Sequence, residues 1–310
     1  MEYLILIISL AGIVFGANFL VAGAVSVARK FKISDFVIGA AIVGVGTSVP
    51  ELVVSFLGAL RGNADVAIGN VVGSNIFNVL GIVGLTALLF PVTIGRKELK
   101  FEIPLCIGVS LLLMFLALNF FNGTPAVISR IDGVVLLLIF VGFMWYSFAR
   151  DRKSASGQGS ITEETTPLWL ASVKIIGGLA LLIISCDLFV DNAVLIAKSF
   201  GVNDAFISLT LIACGTSLPE LATSLAAAMK RNTALALGNI VGSNIFNITL
   251  ILGLSSQVMP LNSVVITAVD YAVMIAAALI PLIFGLKGKI GRVGGAMMLI
   301  CFVAYNWYLI

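Results

Sequence analysis

The sequence contains no histidine, and only 11% of its 310 residues are charged. Without histidine the chain lacks the commonest proton shuttle and a common metal ligand. A soluble domain of this size carries about a quarter charged residues, so the composition excludes an ordinary soluble protein. The four cysteines show neither metal-ligand spacing nor a disulfide framework, and we interpret them as small apolar filler.

Apolar sequence dominates what remains, with 60% hydrophobic residues and a mean hydropathy of +1.15. Each apolar segment is near or above the ~20 residues that a helix needs to cross a bilayer. The alternating polarity of a transmembrane barrel is not present. We therefore predict an all-α membrane protein with ten transmembrane helices: 3–28, 35–60, 66–90, 101–120, 131–149, 168–197, 204–229, 235–259, 262–285 and 290–309.

The lysines and arginines are distributed unevenly between the two sides of these segments. Fourteen of the 18 follow odd-numbered segments, three follow even-numbered segments, and Lys174 lies within segment 6. Cytoplasmic loops of membrane proteins carry the excess of basic residues. The distribution predicts a multi-pass protein of the cell membrane with both termini outside.

The two halves of the chain repeat two motifs at a constant offset. GTSVPEL at Gly46 matches GTSLPEL at Gly215, and GNVVGSNIFN at Gly69 matches GNIVGSNIFN at Gly238, each 169 residues apart. Five segments per copy is an odd number, so the second copy enters the membrane from the opposite side. Inverted repeats of this kind are typical of secondary transporters, whose binding sites lie near the midplane. Duplication that merely builds a helix bundle is disfavoured, because the repeated residues are polar.

The repeats define the predicted organisation. The first repeat covers 1–149 with its motif at 44–78, and the second covers 168–310 with its motif at 213–247. Residues 150–167 form a polar cytoplasmic linker that is too short for a folded domain.

Glu51 and Glu220 fall near the middle of their predicted segments. An unpaired carboxylate at that depth is costly, so it should face a cation, a partner or a water-filled cavity. No basic residue lies at the same depth in either repeat. Pro50 and Pro219 should interrupt the helices and release carbonyls about four residues earlier. Interrupted backbone at membrane depth is tolerated where it lines a cavity or is buried in protein.

Further oxygen-bearing side chains follow a helical spacing. Thr47 lies four residues before Glu51, and the pair Ser74 and Asn78 shows the same spacing, as do their repeats. Ca²⁺ takes six to eight oxygen ligands, and two carboxylates balance its charge. Soft-metal ligands are lacking, which disfavours copper or zinc. The pattern predicts a site for Ca²⁺ and Na⁺, although the serines and asparagines could instead serve only to join helices.

The doubled GTS-x-PE and GN-x-VGSNIFN motifs resemble the alpha-repeats of the calcium/cation antiporter superfamily, in particular its prokaryotic sodium/calcium exchanger branch. The resemblance covers all ten segments. It implies exchange of cytoplasmic Ca²⁺ for external Na⁺ by alternating access, commonly three Na⁺ per Ca²⁺. It also implies an ion-binding core of helices 2, 3, 7 and 8, with helices 1 and 6 as a sliding pair.

The same resemblance implies roles for individual residues. Glu51 and Glu220 would bridge a central Ca²⁺ site and also contact Na⁺, while Thr47 and Thr216 would offer main-chain carbonyls to Ca²⁺. Some relatives place an aspartate at the position of Asn247, so the formal charge here is −2 rather than −3, which leaves the stoichiometry open. The outer Na⁺ sites and the ring of ligands would be completed by Gly44, Ala213, Ser48, Ser217, Ser74, Ser243, Asn78 and Asn247.

Three other classes of function were considered for this sequence. An intramembrane enzyme is disfavoured because neither motif serine has an imidazole base and no HExxH sequence exists. A cation channel and a proton- or potassium-coupled exchanger stay open as alternatives. We expect no cofactor and no nucleic-acid partner, Ca²⁺ and Na⁺ as transported ions, and function as a monomer in the lipid bilayer.

Four of the acidic residues outside the motifs also need an interpretation. Asp187 and Asp191 could form a cation-attracting external vestibule or simply a water-facing helix end, and both interpretations remain open. Asp270 and Glu102 lie near segment ends, so we expect them to be solvated.

Overall fold

A computed structural model describes residues 2–118, 127–155, 166–200, 215–263 and 265–309 of the chain. Helices account for most of these residues, and three stretches have the wider π-helical pitch, labelled π1 to π3. The helical elements up to the linker are α1 (Glu2–Phe31), α2 (Asp35–Ile38), π1 (Gly39–Gly44), α3 (Val45–Thr47), α4 (Val49–Leu60), α5 (Ala64–Ile76), π2 (Phe77–Val83), α6 (Gly84–Leu89), α7 (Arg96–Lys100), α8 (Glu102–Leu118) and α9 (Arg130–Ala155). Those after it are α10 (Leu168–Ser199), α11 (Leu218–Met229), α12 (Thr233–Phe246), π3 (Asn247–Ile251), α13 (Leu252–Val258), α14 (Ala268–Gly285) and α15 (Arg292–Leu309).

The predicted membrane class is confirmed by the length and apolarity of these helices. Among the described residues, seven helical stretches are long and apolar enough to cross a membrane, or eight if the broken stretch Asp35–Leu60 is counted as one span. Helix α11 has only 12 described residues, and α15 includes Arg292 and Asn306. The count of ten spans therefore remains a prediction.

The backbone divides into two compact units. Unit 1 consists of Met1–Pro50 and Ser147–Asn239, and unit 2 of Glu51–Tyr146 and Ile240–Ile310. Each unit thus takes elements from both repeated halves of the sequence.

Unit 1 is built around the pairing of α1 with α10, which pack along much of their length. Glycines allow their backbones to approach closely. A Cβ added to Gly16 would lie 2.7 Å from the Leu182 nitrogen, and one added to Gly178 would lie 2.6 Å from the Leu20 nitrogen. Small residues at such crossings allow membrane helices to gain close packing.

The first copy of the GTS-x-PE motif interrupts its helix at the serine, and in the second copy a helix begins directly after the serine. Ser48 has φ −82° and ψ 11° between α3 and α4, and Ser217 has φ −90° and ψ 8° just before α11. Each serine lies two residues before the motif proline. A proline disfavours helical geometry in the residue before it and removes one main-chain hydrogen bond, so the predicted interruption is confirmed in the first copy.

Unit 2 contains π2 and π3. When the 169-residue offset between the repeats is applied, the first residues of the two π-helices, Phe77 and Asn247, differ by one position. Two short connections tie its loops together. Strands β1 (Val92–Thr93) and β2 (Lys289–Ile290) pair antiparallel, and Ile128 forms an isolated antiparallel bridge with Leu261.

The expectation that Asp270 and Glu102 are solvated is wrong, since each is only 5% exposed. Asp270 caps α14, because its Oδ2 accepts hydrogen bonds from the nitrogen and hydroxyl of Thr267 at 2.7 and 2.8 Å. Its Oδ1 accepts a 2.7 Å hydrogen bond from the Tyr305 hydroxyl. Glu102 lies in the first turn of α8, where the helix dipole favours a carboxylate.

Candidate ion-binding site

Glu220 is fully buried in the first turn of α11, within unit 1. Its Oε1 accepts a 2.8 Å hydrogen bond from the hydroxyl of Ser48, the residue at the break between α3 and α4. The hydroxyl of the preceding Thr47 donates to the Val43 carbonyl at 3.0 Å. The first motif copy thus contacts the carboxylate of the second.

Asn239 holds the main chain around Glu220. Its Nδ2 donates to the Glu220 carbonyl at 3.2 Å and to the hydroxyls of Thr223 and Ser224, both at 2.9 Å. Its Oδ1 accepts a 3.3 Å hydrogen bond from the Thr47 hydroxyl. This one amide therefore joins residues of both motif copies within unit 1.

Asn70, the counterpart of Asn239, makes the equivalent contacts in unit 2. Its Nδ2 donates to the Glu51 carbonyl at 3.2 Å and to the Ser55 hydroxyl at 2.9 Å. Glu51 and Ser55 are both fully buried. Since Asn70, Ser74 and Asn78 are spaced by four residues, they share one face of α5 and π2.

Four asparagines of unit 2 form a buried network in which residues of one repeat contact those of the other. The Nδ2 of Asn75 donates to the Asn244 carbonyl, and the Nδ2 of Asn244 donates to the Asn75 carbonyl, both at 3.3 Å. The Nδ2 of Asn78 donates to Oδ1 of Asn244 at 2.9 Å, and the Nδ2 of Asn247 donates to Oδ1 of Asn75 at 3.0 Å. The network repeats itself, since each residue has its counterpart 169 residues away.

Several oxygens of the predicted site are buried without a hydrogen-bond donor among the residues that the structure describes. A buried polar atom left unsatisfied costs about 1–3 kcal/mol, so a set of them at one site requires an explanation. Hydroxyl and amide oxygens are the neutral ligands that hard cations such as Ca²⁺ take. Among the described residues, no hydrogen-bond donor is found for Ser74 Oγ, Asn78 Oδ1, Thr216 Oγ1 and Asn247 Oδ1.

The predicted site residues fall into two sets, according to the unit that contains them. Of the described ones, all are buried except Thr216, which is partly exposed. Ala213 lies outside the described residues. Unit 1 contains Gly44, Thr47, Ser48, Thr216, Ser217 and Glu220, and unit 2 contains Glu51, Ser74, Ser243, Asn78 and Asn247.

Four asparagines were missed as site residues by the sequence reasoning. Asn70, Asn75, Asn239 and Asn244 orient other groups through their amides, which spacing alone does not indicate. A signal was nevertheless present, because all four belong to the two copies of GN-x-VGSNIFN.

Comparisons of this chain with family models, with known proteins and with solved structures all match the same group of membrane transporters. A sequence model of the family described as "Sodium/calcium exchanger protein" matches residues 1–149 and 170–310. The CaxA protein of Alkalimonas amylolytica is 40% identical over 98% of this chain and 97% of its own length. The sodium/calcium exchanger MaX1 of Methanosarcina acetivorans is 32% identical over 98% of this chain and 97% of its own. A solved structure of the sodium-calcium exchanger NCX_Mj superimposes with a TM-score of 0.84 at 32% identity, covering 100% of this chain and 99% of the other.

Proposed function

Because this chain belongs to the sodium/calcium exchanger protein family, we propose that it is a secondary active antiporter that exchanges Ca²⁺ for Na⁺ across the cell membrane. It is a transporter and not an enzyme. In the proposed direction, Na⁺ entering down its gradient drives Ca²⁺ out of the cell.

The observation that carries this proposal is the complete burial of Glu51 and Glu220, one in each copy of the same motif. An ionised carboxylate is costly in a membrane interior and is retained there for function. Two such carboxylates match the charge of one Ca²⁺. We propose that both glutamates ligate the transported Ca²⁺ and, in the alternate phase of the cycle, Na⁺.

The remaining ligands are assigned by the resemblance, and burial supports all of them except Thr216, which is partly exposed, and Ala213, which lies outside the described residues. We propose that Thr47 and Thr216 offer main-chain carbonyls to Ca²⁺, and that Asn78 and Asn247 offer side-chain oxygens. The Na⁺ ligands would be Gly44, Ala213, Ser48, Ser217, Ser74 and Ser243.

We further propose the complete architecture of ten helices in two inverted repeats, with both termini outside. Its support is the distribution of lysine and arginine and the odd number of segments per repeat. Alternating access would use α1 and α10 as a moving pair. Their close glycine-lined packing supports movement of the two helices together. The monomer is the proposed functional form.

Flux measurements test the coupling ion. In vesicles containing the purified protein, an outward Na⁺ gradient should drive ⁴⁵Ca²⁺ uptake, and protein-free vesicles provide the background. The same vesicles are then given K⁺ or pH gradients without Na⁺. Uptake that ignores Na⁺ and follows pH or K⁺ would replace the proposal with proton- or potassium-coupled exchange.

A further inference from the structure

An asparagine can ligate a cation only through its amide oxygen. The amide nitrogen carries two hydrogens and no acceptor, although the two ends of the group are nearly equal in shape. A site that uses Asn78 and Asn247 as ligands must therefore prevent their amides from turning over. The surroundings of each amide decide which end faces the ion.

Two chains of hydrogen bonds link these amides, and a main-chain carbonyl fixes the orientation of the first side-chain amide in each chain. The Asn244 carbonyl can only accept, so the end of the Asn75 side chain that faces it must be Nδ2. The Oδ1 of Asn75 then points to Asn247, which must donate with its own Nδ2. Consequently the Oδ1 of Asn247 lies on the opposite side, where it is buried and receives no hydrogen bond from the described part of the chain.

The second series of hydrogen bonds, which orients Asn78, is arranged in the same way. The Asn75 carbonyl accepts from Nδ2 of Asn244, whose Oδ1 accepts from Nδ2 of Asn78. The Oδ1 of Asn78 is likewise buried, with no donor within the described ranges. Each repeat thus orients the amide of the other repeat, and both chains start from a backbone atom that cannot change its hydrogen-bonding role.

We propose that Asn75 and Asn244 are positioning residues that hold the amide oxygens of Asn247 and Asn78 toward the transported cation. This inference rests on the proposed function, because it takes Asn78 and Asn247 as ion ligands. Turning over the Asn247 amide would set its oxygen against Oδ1 of Asn75 and present N–H groups to the ion. Both consequences oppose cation binding. Each of the two hydrogen-bond chains, which we call relays, therefore favours the binding orientation of its amide before an ion arrives.

The location of the network fits this role. Asn75 and Asn244 are 1% and 2% exposed, which shields their hydrogen bonds from competing water. They lie two and three residues before π2 and π3, respectively. Single π-helical turns within α-helices are frequently found at functional sites.

The first test separates ion affinity from folding. Asn75→Leu and Asn244→Leu each remove an acceptor while keeping a similar side-chain volume. We expect a roughly tenfold or larger increase in the KM for Ca²⁺, a smaller change in maximal rate, and a reduced shift of Tm on adding Ca²⁺. The matched control is Asn306→Leu, because the hydrogen bond that Asn306 donates among the described residues stays within its own helix, to the Phe302 carbonyl. If a leucine variant fails to fold, the serine variant at the same position is measured in its place.

A double-mutant cycle distinguishes a positioning role from a general structural one. The effect of Asn75→Leu on Ca²⁺ affinity should largely vanish in an Asn247→Ala background, since the residue it orients is absent. The same substitution should retain its effect in an Asn78→Ala background, which belongs to the other relay. Equal effects in both backgrounds would overturn the relay.

The outcomes also separate this inference from the proposed function. Failure of the wild-type protein to exchange Na⁺ for Ca²⁺ would refute the proposed function itself. Wild-type exchange together with unchanged Ca²⁺ KM and Tm shift in the Asn75 and Asn244 variants would refute only the positioning role.

Discussion

The Ser48 hydroxyl donates a 2.8 Å hydrogen bond to Oε1 of Glu220, and both side chains are fully buried. Ser48 belongs to the first copy of GTS-x-PE and Glu220 to the second, so the two copies meet at a carboxylate. Hydrogen bonds to ionised groups are about twice as strong as neutral ones. The helix break at Ser48 therefore gives a short side chain access to the acid of the other repeat.

Ser48→Ala tests the importance of this contact. A hydrogen bond to a charged group contributes about 1.5–3 kcal/mol, which corresponds to about tenfold or more in an equilibrium constant. Because Ser48 is also a proposed Na⁺ ligand, we expect the half-saturating Na⁺ concentration for exchange to rise by about that factor. The control is Ser110→Ala, since the buried Ser110 hydroxyl donates to the Cys106 carbonyl within its own helix, α8. An unchanged Na⁺ dependence in Ser48→Ala would contradict the assignment.

Glu51→Gln and Glu220→Gln should each reduce exchange to near background. Glutamine preserves shape but removes one of the two charges that balance Ca²⁺. The measurement is Na⁺-driven ⁴⁵Ca²⁺ uptake, with monodispersity and Tm recorded to show that each variant is folded.

Glu102→Gln provides the matched comparison for these two variants. Glu102 is also a buried carboxylate, but it lies in α8 outside both repeated motifs. We expect it to retain exchange per folded molecule. Wild-type rates in either motif variant would exclude that glutamate from the Ca²⁺ site.

The two acidic residues of the candidate site could be predicted from the sequence, because their depth in the membrane follows from segment boundaries that can be read from it. Segment midpoints and a constant repeat offset are sufficient to predict that Glu51 and Glu220 are buried. The break at Ser48 followed from Pro50 for the same reason, since the effect of proline on the preceding backbone is local.

Contacts that depend on how helices pack could not be obtained in this way. The amide of Asn239 reaches Thr47 across 192 residues of sequence, and no spacing rule relates those positions. The expectation that Asp270 is solvated failed for a different reason, because the distance of a residue from a segment end does not measure its burial. Its capping pair Thr267-x-x-Asp270 was visible in the sequence, but the hydrogen bond from Tyr305 was not.

Tyr305→Phe should destabilise the protein without changing its ion affinity. The substitution removes a 2.7 Å hydrogen bond to a buried carboxylate and little else. We expect a loss of about 1.5–3 kcal/mol, seen as a lower Tm in detergent. Asp270→Asn and the double variant complete the cycle, and the two single effects should be less than additive if the contact is responsible. A changed Ca²⁺ KM in Tyr305→Phe would instead connect α15 to the ion site.

Two adjacent glycines of α10 test whether its close packing with α1 matters for transport. A Cβ at Gly178 would meet the Leu20 nitrogen and the Gly16 carbonyl at 2.6 and 2.9 Å, and these backbone atoms can retreat only if a whole helix moves. Overpacking of this kind typically costs about 1–3 kcal/mol. Gly177→Ala is the control, because its Cβ would have no atom of a described residue within 4 Å and alanine favours a helix over glycine.

We therefore expect Gly178→Ala to lower Tm and slow exchange, while Gly177→Ala leaves both unchanged or raises Tm slightly. The reason is that only Gly178 lies in the contact between the two helices, so only its substitution forces them apart. If α1 and α10 move together during transport, the slowing should appear in the maximal rate more than in the Ca²⁺ KM. Equal behaviour of the two variants would show that the tight glycine contact is dispensable for the movement.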